Sequence, residues 1–156
     1  NILCLNHSPH TNTERGKLVE YATKNWIDFC DILPFIPPEK SYWKKSEIEG
    51  KIKIDVSNIK CYDEMRKYKF ILSPAGAGID CHRTWEALYI GCIPIVLNSI
   101  ISDLYQDLPI VVVNDWSILT KQFLEEKYKE IEKNKKENKY NLSKLYLNYW
   151  TDKIIN

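Results

Sequence analysis

The run KFILSPAGAGIDCHRTWEALYIGCIPIV, residues 69–96, decides the fold. KFILS (69–73) and IPIVL (93–97) are short apolar runs rich in branched side chains and without polar alternation, the pattern of strands covered on both faces. Between them Gly76, Gly78, Asp80, His82, Arg83 and Glu86 fall within residues 76–86, and the pattern from about Arg83 to Ile90 predicts a helix. A buried strand, a glycine-bearing loop, a helix and a second buried strand make one crossover unit of a parallel sheet.

The same alternation extends outward. NILCLN (1–6) reads as a strand, and HSPHTNTERGK follows with turn chemistry. Thr11, Asn12 or Thr13 can cap a helix in which Leu18, Tyr21 and Ala22 recur at helical spacing. WIDFCDIL (26–33) reads as a second strand, and PFIPPEKSYWKKSEIEG (34–50), with its prolines and closing Gly50, as an irregular connection. KIKIDV (51–56) alternates like a strand near the sheet edge, residues 59–67 suit a short helix with Tyr62 and Met65 on one side, and PIVVV (109–113) is the last strand. SILTKQFLEEKYKEIEKNKKE (117–137) is a charged amphipathic helix with Leu119, Phe123 and Ile131 on one stripe and Glu125–Lys129 and Glu132–Lys136 as supporting pairs. LYLNYW (145–150) suits a last helix packed on the domain or equally one docked on a neighbour. The expected fold is a single α/β domain over residues 1–156, doubly wound and Rossmann-like, with a mainly parallel sheet of about six strands and a helical C-terminal segment, 117–156. Ligands of such sheets gather beyond the carboxyl ends of the strands, which directs attention to the loops after residues 6, 73 and 97.

Composition narrows the partner. A chain of 156 residues, 44% apolar, can bury a core of its own. Its 22 basic and 21 acidic residues leave a net charge of +1, no electrostatic footprint for nucleic acid or an anionic membrane, so a small or neutral partner is expected. Five scattered cysteines without a C-x-x-C pair read as free thiols, and no zinc site is expected. Nothing apolar approaches a membrane span and the first residues do not form a signal peptide. The opening at Asn1, inside a strand and without Met, points to a piece cut from a longer protein. The N-x-S sequons at Asn6 and Asn141 are expected by chance in an Asn-rich chain, and cytoplasmic, Golgi lumenal and viral locations are all compatible with it. Lysine outnumbers arginine 19 to 3, which singles out Arg15 and Arg83 as positions where planar, bidentate hydrogen bonding is needed.

The loop suits a phosphate. Gly76 and Gly78 let the backbone approach a ligand, a helix beginning near residues 80–83 aims free N–H groups at it, and Arg83 in the first turn adds a fork of donors. The dinucleotide fingerprint G-x-G-x-x-G fails because its third glycine is Cys81, and no Gly-Lys-Ser/Thr follows. Glu86, one turn beyond Arg83, can accept both hydroxyls of a vicinal diol; the competing reading is a plain Arg83–Glu86 ion pair, and spacing weighs the two equally. His7 and His10 flank Pro9 on the ligand side of the sheet, placed to reach a ligand or act as a base; His82, at the helix start, can contact a ligand or cap.

The run GIDCHRTWEALYIGCIPIV resembles the C-terminal, nucleotide-sugar-binding half of the exostosin-like glycosyltransferases of the GT-B fold. The shared pattern is Glu86, Ala87 and Leu88 on a helix, then Gly91, Cys92, Pro94, Ile95 and Val96. It covers about residues 68–120, including LPIVVVNDWS, and reaches more weakly over HSPHTNTERGK. The resemblance implies that Glu86 binds ribose hydroxyls, that Arg83 and the amides around Gly76 to Asp80 face a diphosphate, with His82 beside them, and that Arg15, with Lys17 as its neighbour, reaches the phosphates from the first loop. It further implies transfer of a sugar from a UDP-linked donor to a glycan or glycoprotein acceptor, with no metal and no other cofactor, the acceptor and catalytic base belonging to a second Rossmann-like half. An inactive nucleotide- or carbohydrate-binding module on the same fold is the rival. Where many retaining relatives carry a second Glu, this chain has Gly78, with Asp80 as the nearest acid. Retention or inversion is therefore open, and His7, His10 and Asp80 are the catalytic candidates.

Overall fold

The computed structural model describes residues 1–33 and 56–155. In chain order these form β1 (Leu3–Leu5), α1 (Thr13–Asn25), β2 (Cys30–Ile32), α2 (Val56–Met65), β3 (Phe70–Leu72), α3 (His82–Tyr89), β4 (Ile93–Leu97), β5 (Val111–Val113), α4 (Lys121–Lys136) and α5 (Leu147–Ile155). The strands lie in the order β2-β1-β3-β4-β5 and every pairing is parallel, with Leu3 opposite Cys30 and Phe70, Phe70 opposite Ile93, and Ile95 opposite Val111. The doubly wound α/β expectation holds, with five strands among the described residues where about six were expected.

Strand periodicity sorts the core into two layers. Leu3, Leu5, Phe70, Leu72, Ile93, Ile95, Val111 and Val113 face Leu18 and Ala22 of α1 and Leu124 and Ile131 of α4. The intervening Cys4 and Ile71 face Met65 of α2 and Ala87 of α3 on the opposite side. Each fully buried branched side chain contributes about 1.5–3 kcal/mol relative to exposure, which makes this two-sided burial the main reason the sheet forms.

The central motif carries its own stop signal. Ile90 ends α3 and Gly91 takes φ +84°, so the Gly91 N–H reaches the Leu88 carbonyl (3.0 Å) and the Cys92 N–H the Ala87 carbonyl (2.8 Å). These two bonds are the Schellman closure, and Cys92 and Ala87 pack together in the second layer. Pro94 is tolerated in a central strand because the β4–β5 ladder opens only at Ile95 and Val111, one residue later. Much of the Gly-Cys-x-Pro-Ile-Val pattern thus follows from helix termination and sheet burial. Gly91→Ala should destabilise the domain by about 1–2 kcal/mol through its left-handed φ, since a Cβ there meets no neighbour. Urea unfolding checks this; a midpoint equal to that of the parent would mean the φ is readily relaxed.

Several boundaries moved. WIDFCDIL is a strand only at Cys30–Ile32, because Trp26 and Phe29 enter the core from a turn: Trp26 N–H bonds Ala22 C=O, and Phe29 and Cys30 N–H bond Trp26 C=O. The connection over 34–50 and the strand expected at 51–56 lie outside the described residues, except that Val56 already begins α2. The helix expected over 117–137 starts at Lys121, capped by the Thr120 side chain; Leu119 is buried just before it, and Leu124 and Ile131 hold its apolar stripe. Its ion pairs are Lys127–Glu130, Glu132–Lys135 and Lys133–Glu137, mostly one residue closer than expected. The turn ahead of the last helix is tied to the domain, Tyr89 OH donating to Leu145 C=O and Lys144 Nζ to Gln106 C=O, while α5 buries no residue and is held locally by Trp150 Nε1 on Lys144 C=O, with Tyr146, Leu147, Ile154 and Ile155 exposed.

Candidate functional site

In this strand order the chain leaves β1 outward through α1 and resumes on the other side at β3, so the carboxyl ends of β1 and β3 flank the topological switch point. Asn6 and His7 end one strand and Ser73 and Pro74 the other, all four buried.

Arg15 joins them. Its guanidinium is buried, and its Nε and Nη2 donors are taken up by the glycine loop, Nε on Ala75 C=O (2.9 Å) and Nη2 on Pro74 C=O (2.9 Å) and Cys81 Sγ (3.3 Å), while Nη1 faces Thr11 Oγ1 (3.5 Å) of the first loop. Asn12 adds a second clasp, capping α1 through Arg15 N–H (2.9 Å) while its amide donates to Ala75 C=O (3.2 Å) and Gly76 C=O (2.9 Å). A Cβ at Gly76 would lie 3.0 Å from Arg15 Nη2, so any larger residue there would push the guanidinium by a few tenths of an ångström. Where a direct phosphate contact was expected of Arg15, its donors instead hold the loop's carbonyls. Lys17 turns to solvent and pairs with Glu14 at 2.8 Å.

His7 lies under this clasp, 5% exposed, with Nε2 facing Arg15 C=O at 3.5 Å and Nδ1 without a partner among the described residues. Burial, then the Arg15 charge, lowers its pKa to about 4, so the ring is neutral at pH 7. His10 and His82 are both exposed, His82 at the first position of α3.

The loop itself folds tightly. Gly76 N–H turns back to Gly78 C=O (3.1 Å) and is not free for a ligand. Gly78 is open, a Cβ there meeting only Asp80 C=O at 3.7 Å. The loop is tied to α3 from beneath by the buried Ser73–Thr84 hydroxyl bond of 2.8 Å. Cys81 stands at the N-cap without a side-chain cap bond; Thr84 N–H turns back to Cys81 C=O (2.9 Å), which leaves the His82 and Arg83 N–H groups as the uncapped donors of the first turn.

Two constellations flank that helix start. Toward α2, Arg83 and Glu86 form an ion pair (Nη1–Oε2 3.3 Å), both partly buried. Tyr62 OH donates to Glu86 Oε1 at 3.0 Å, and Arg83 Nη1 lies against Met65 Sδ. Burial and the Glu86 bond push the Tyr62 hydroxyl up to about 12, so it remains a donor. Each carboxylate oxygen has a second lone pair, so Glu86 keeps acceptor capacity on its exposed edge. Among the described residues Arg83 Nε and Nη2 carry no partner. Toward β5, Asp80 accepts from Trp85 Nε1 (3.0 and 3.1 Å) and Tyr105 OH (3.3 Å), which fixes an otherwise exposed carboxylate. Tyr105 belongs to the turn Ser102–Tyr105 and lines a cleft of about 390 Å³ between the carboxyl ends of β3 and β4.

Tyr62, Trp85 and Tyr105 were not legible as site residues, since each comes from a different element and nothing in its local pattern marks it. Asn12 had a signal in the capping chemistry ahead of α1. Among the described residues no cluster of His, Cys, Asp and Glu suited to a metal ion is present, and no helix is long and apolar enough to cross a membrane. The chain matches no protein-family model and no curated protein.

Proposed function

We propose that this domain binds a nucleotide sugar, UDP-linked, as the donor-binding part of a glycosyltransferase that extends a glycan. The carrying observation is the arrangement around the N-terminus of α3: a glycine loop braced from below, a half-buried carboxylate on one side, and an open cleft of about 390 Å³ on the other. In this reading the first-turn amides of α3 and the free edge of Arg83 meet the diphosphate, Glu86 accepts the ribose hydroxyls, and the sugar lies in the cleft beside Asp80. The chemical task is to stabilise a departing nucleoside diphosphate, which fixed N–H donors, a helix end and a guanidinium can do without reorganising. Arg15 contributes by positioning, since its donors are used on the loop. The acceptor and catalytic base would come from a second half, so binding is the testable property of this chain.

Calorimetric titration with UDP, GDP, ADP and UMP, with and without EDTA, tests the reading. Selective, chelator-insensitive binding of one diphosphate supports it; no binding of any at millimolar concentration counts against it. Glu86→Ala should weaken the diphosphate by roughly 1–3 kcal/mol, the cost of losing hydrogen bonds to a charged acceptor. An unchanged affinity in a folded variant would reduce Glu86 to the partner of Arg83 and Tyr62.

A further inference from the structure

Glu86 is held from two helices. On α3 itself Arg83 Nη1 pairs with Oε2 at 3.3 Å, and from α2 the Tyr62 hydroxyl donates to Oε1 at 3.0 Å. Met65, one turn beyond Tyr62 and fully buried, takes Arg83 Nη1 against its Sδ at 2.7 Å. Two residues one turn apart on α2 thus engage two residues one turn apart on α3, and the Tyr62 ring packs on the layer of Cys4, Met65, Ile71 and Ala87. The side chains of Arg83 and Glu86 keep only 17% and 32% of their surface in water, so the pair is seated rather than free.

An ion pair within one helix orients a carboxylate weakly, because two long side chains can change rotamer together. A phenol fixed on a second helix ties the carboxylate to the core, so the rotamer freedom of the glutamate is lost on folding and not on binding. A carboxylate has roughly four lone-pair positions; Tyr62 and Arg83 take one on each oxygen, which leaves one on each for a vicinal diol. We propose that Tyr62 is a positioning residue for ribose recognition, its hydroxyl holding Glu86 so that the remaining acceptor positions meet the 2′- and 3′-hydroxyls and a ribonucleotide is selected over its deoxy analogue. The inference rests on the nucleotide-sugar reading, in which Glu86 accepts those hydroxyls.

Tyr62→Phe removes the hydroxyl and keeps the ring in the core. Titration of the parent and the variant with UDP and with 2′,3′-dideoxy-UDP, which lacks the diol, tests the proposal. The variant should bind UDP roughly tenfold more weakly and dideoxy-UDP with an affinity within about twofold of the parent's, so that the preference for the ribose form shrinks. In a Glu86→Ala background the same substitution should cause no further loss of UDP affinity, because Tyr62 acts through that carboxylate. An equal loss for both ligands would reduce Tyr62 to a structural role, and a loss confined to UDP that persists without Glu86 would make it a direct ribose contact; either overturns the inference. Unchanged UDP affinity does so too, as does tighter UDP binding, which would mean that the hydroxyl competes with ribose for Oε1. Each of these outcomes leaves UDP bound and the nucleotide reading standing, whereas failure of the parent to bind UDP at millimolar concentration removes both.

Discussion

Arg15→Ala should cost the domain about 3–4 kcal/mol and release the glycine loop. Several interactions fail together: Pro74 and Ala75 carbonyls lose their donor, Cys81 loses its neighbour, and a space opens beneath Gly76. A buried acceptor left unsatisfied costs about 1–3 kcal/mol, which applies to the Pro74 carbonyl; the partly buried bond to Ala75, an exposed residue that Asn12 still reaches, adds about 0.5–1.5 kcal/mol. Arg15→Lys should recover only part of the loss, because one ammonium cannot reproduce the planar fork that meets two adjacent carbonyls. Urea unfolding gives the stability, and amide exchange over residues 75–81 reads the loop directly. Stability within about 0.5 kcal/mol of the parent, with exchange over the loop unchanged, would mean that Asn12 and the Ser73–Thr84 bond suffice to hold it.

The second large effect is a loss of stability in mild acid that depends on one side chain. His7 has a folded pKa of about 4 against an ordinary value near 6.5, so the unfolded chain takes up a proton more readily between those values. The stability it contributes is complete above about pH 6.5 and is lost as pH falls towards 4. A difference of this size corresponds to about 3 kcal/mol as an upper figure. His7→Gln keeps a polar group beside Arg15 C=O and cannot titrate, so its stability should vary less steeply over the same interval while the carboxylates common to both proteins cancel. Unfolding free energies at half-unit steps from pH 7 to 4 make the comparison. Parallel curves for the two proteins would show that His7 is readily hydrated or already charged in the fold.

Both effects concern residues whose importance the sequence marked and whose role it did not. Arginine scarcity drew attention to Arg15, and the resemblance implied a phosphate contact for it. The tertiary structure turns the side chain inward, against carbonyls some sixty positions away in sequence. Arg83 and Glu86 were readable as a pair from helical spacing alone, yet the bond from Tyr62 depends on how α2 packs against α3. Asp80 was visible as an isolated acid, whereas Trp85 and Tyr105, which orient it, converge only when the turn after β4 folds over the start of α3.

What the sequence determined by itself was local and periodic. Apolar runs without alternation required a sheet covered on both faces, the helical spacings between them required crossovers, and Gly91 with Cys92 set where α3 stops; these properties reside in neighbouring residues and survive any change of surroundings. Only the tertiary structure decided which donors are consumed and which remain for a ligand. Hydrogen-bonding capacity is shared among groups distant in sequence, and a guanidinium that satisfies the loop beneath it is no longer available above it.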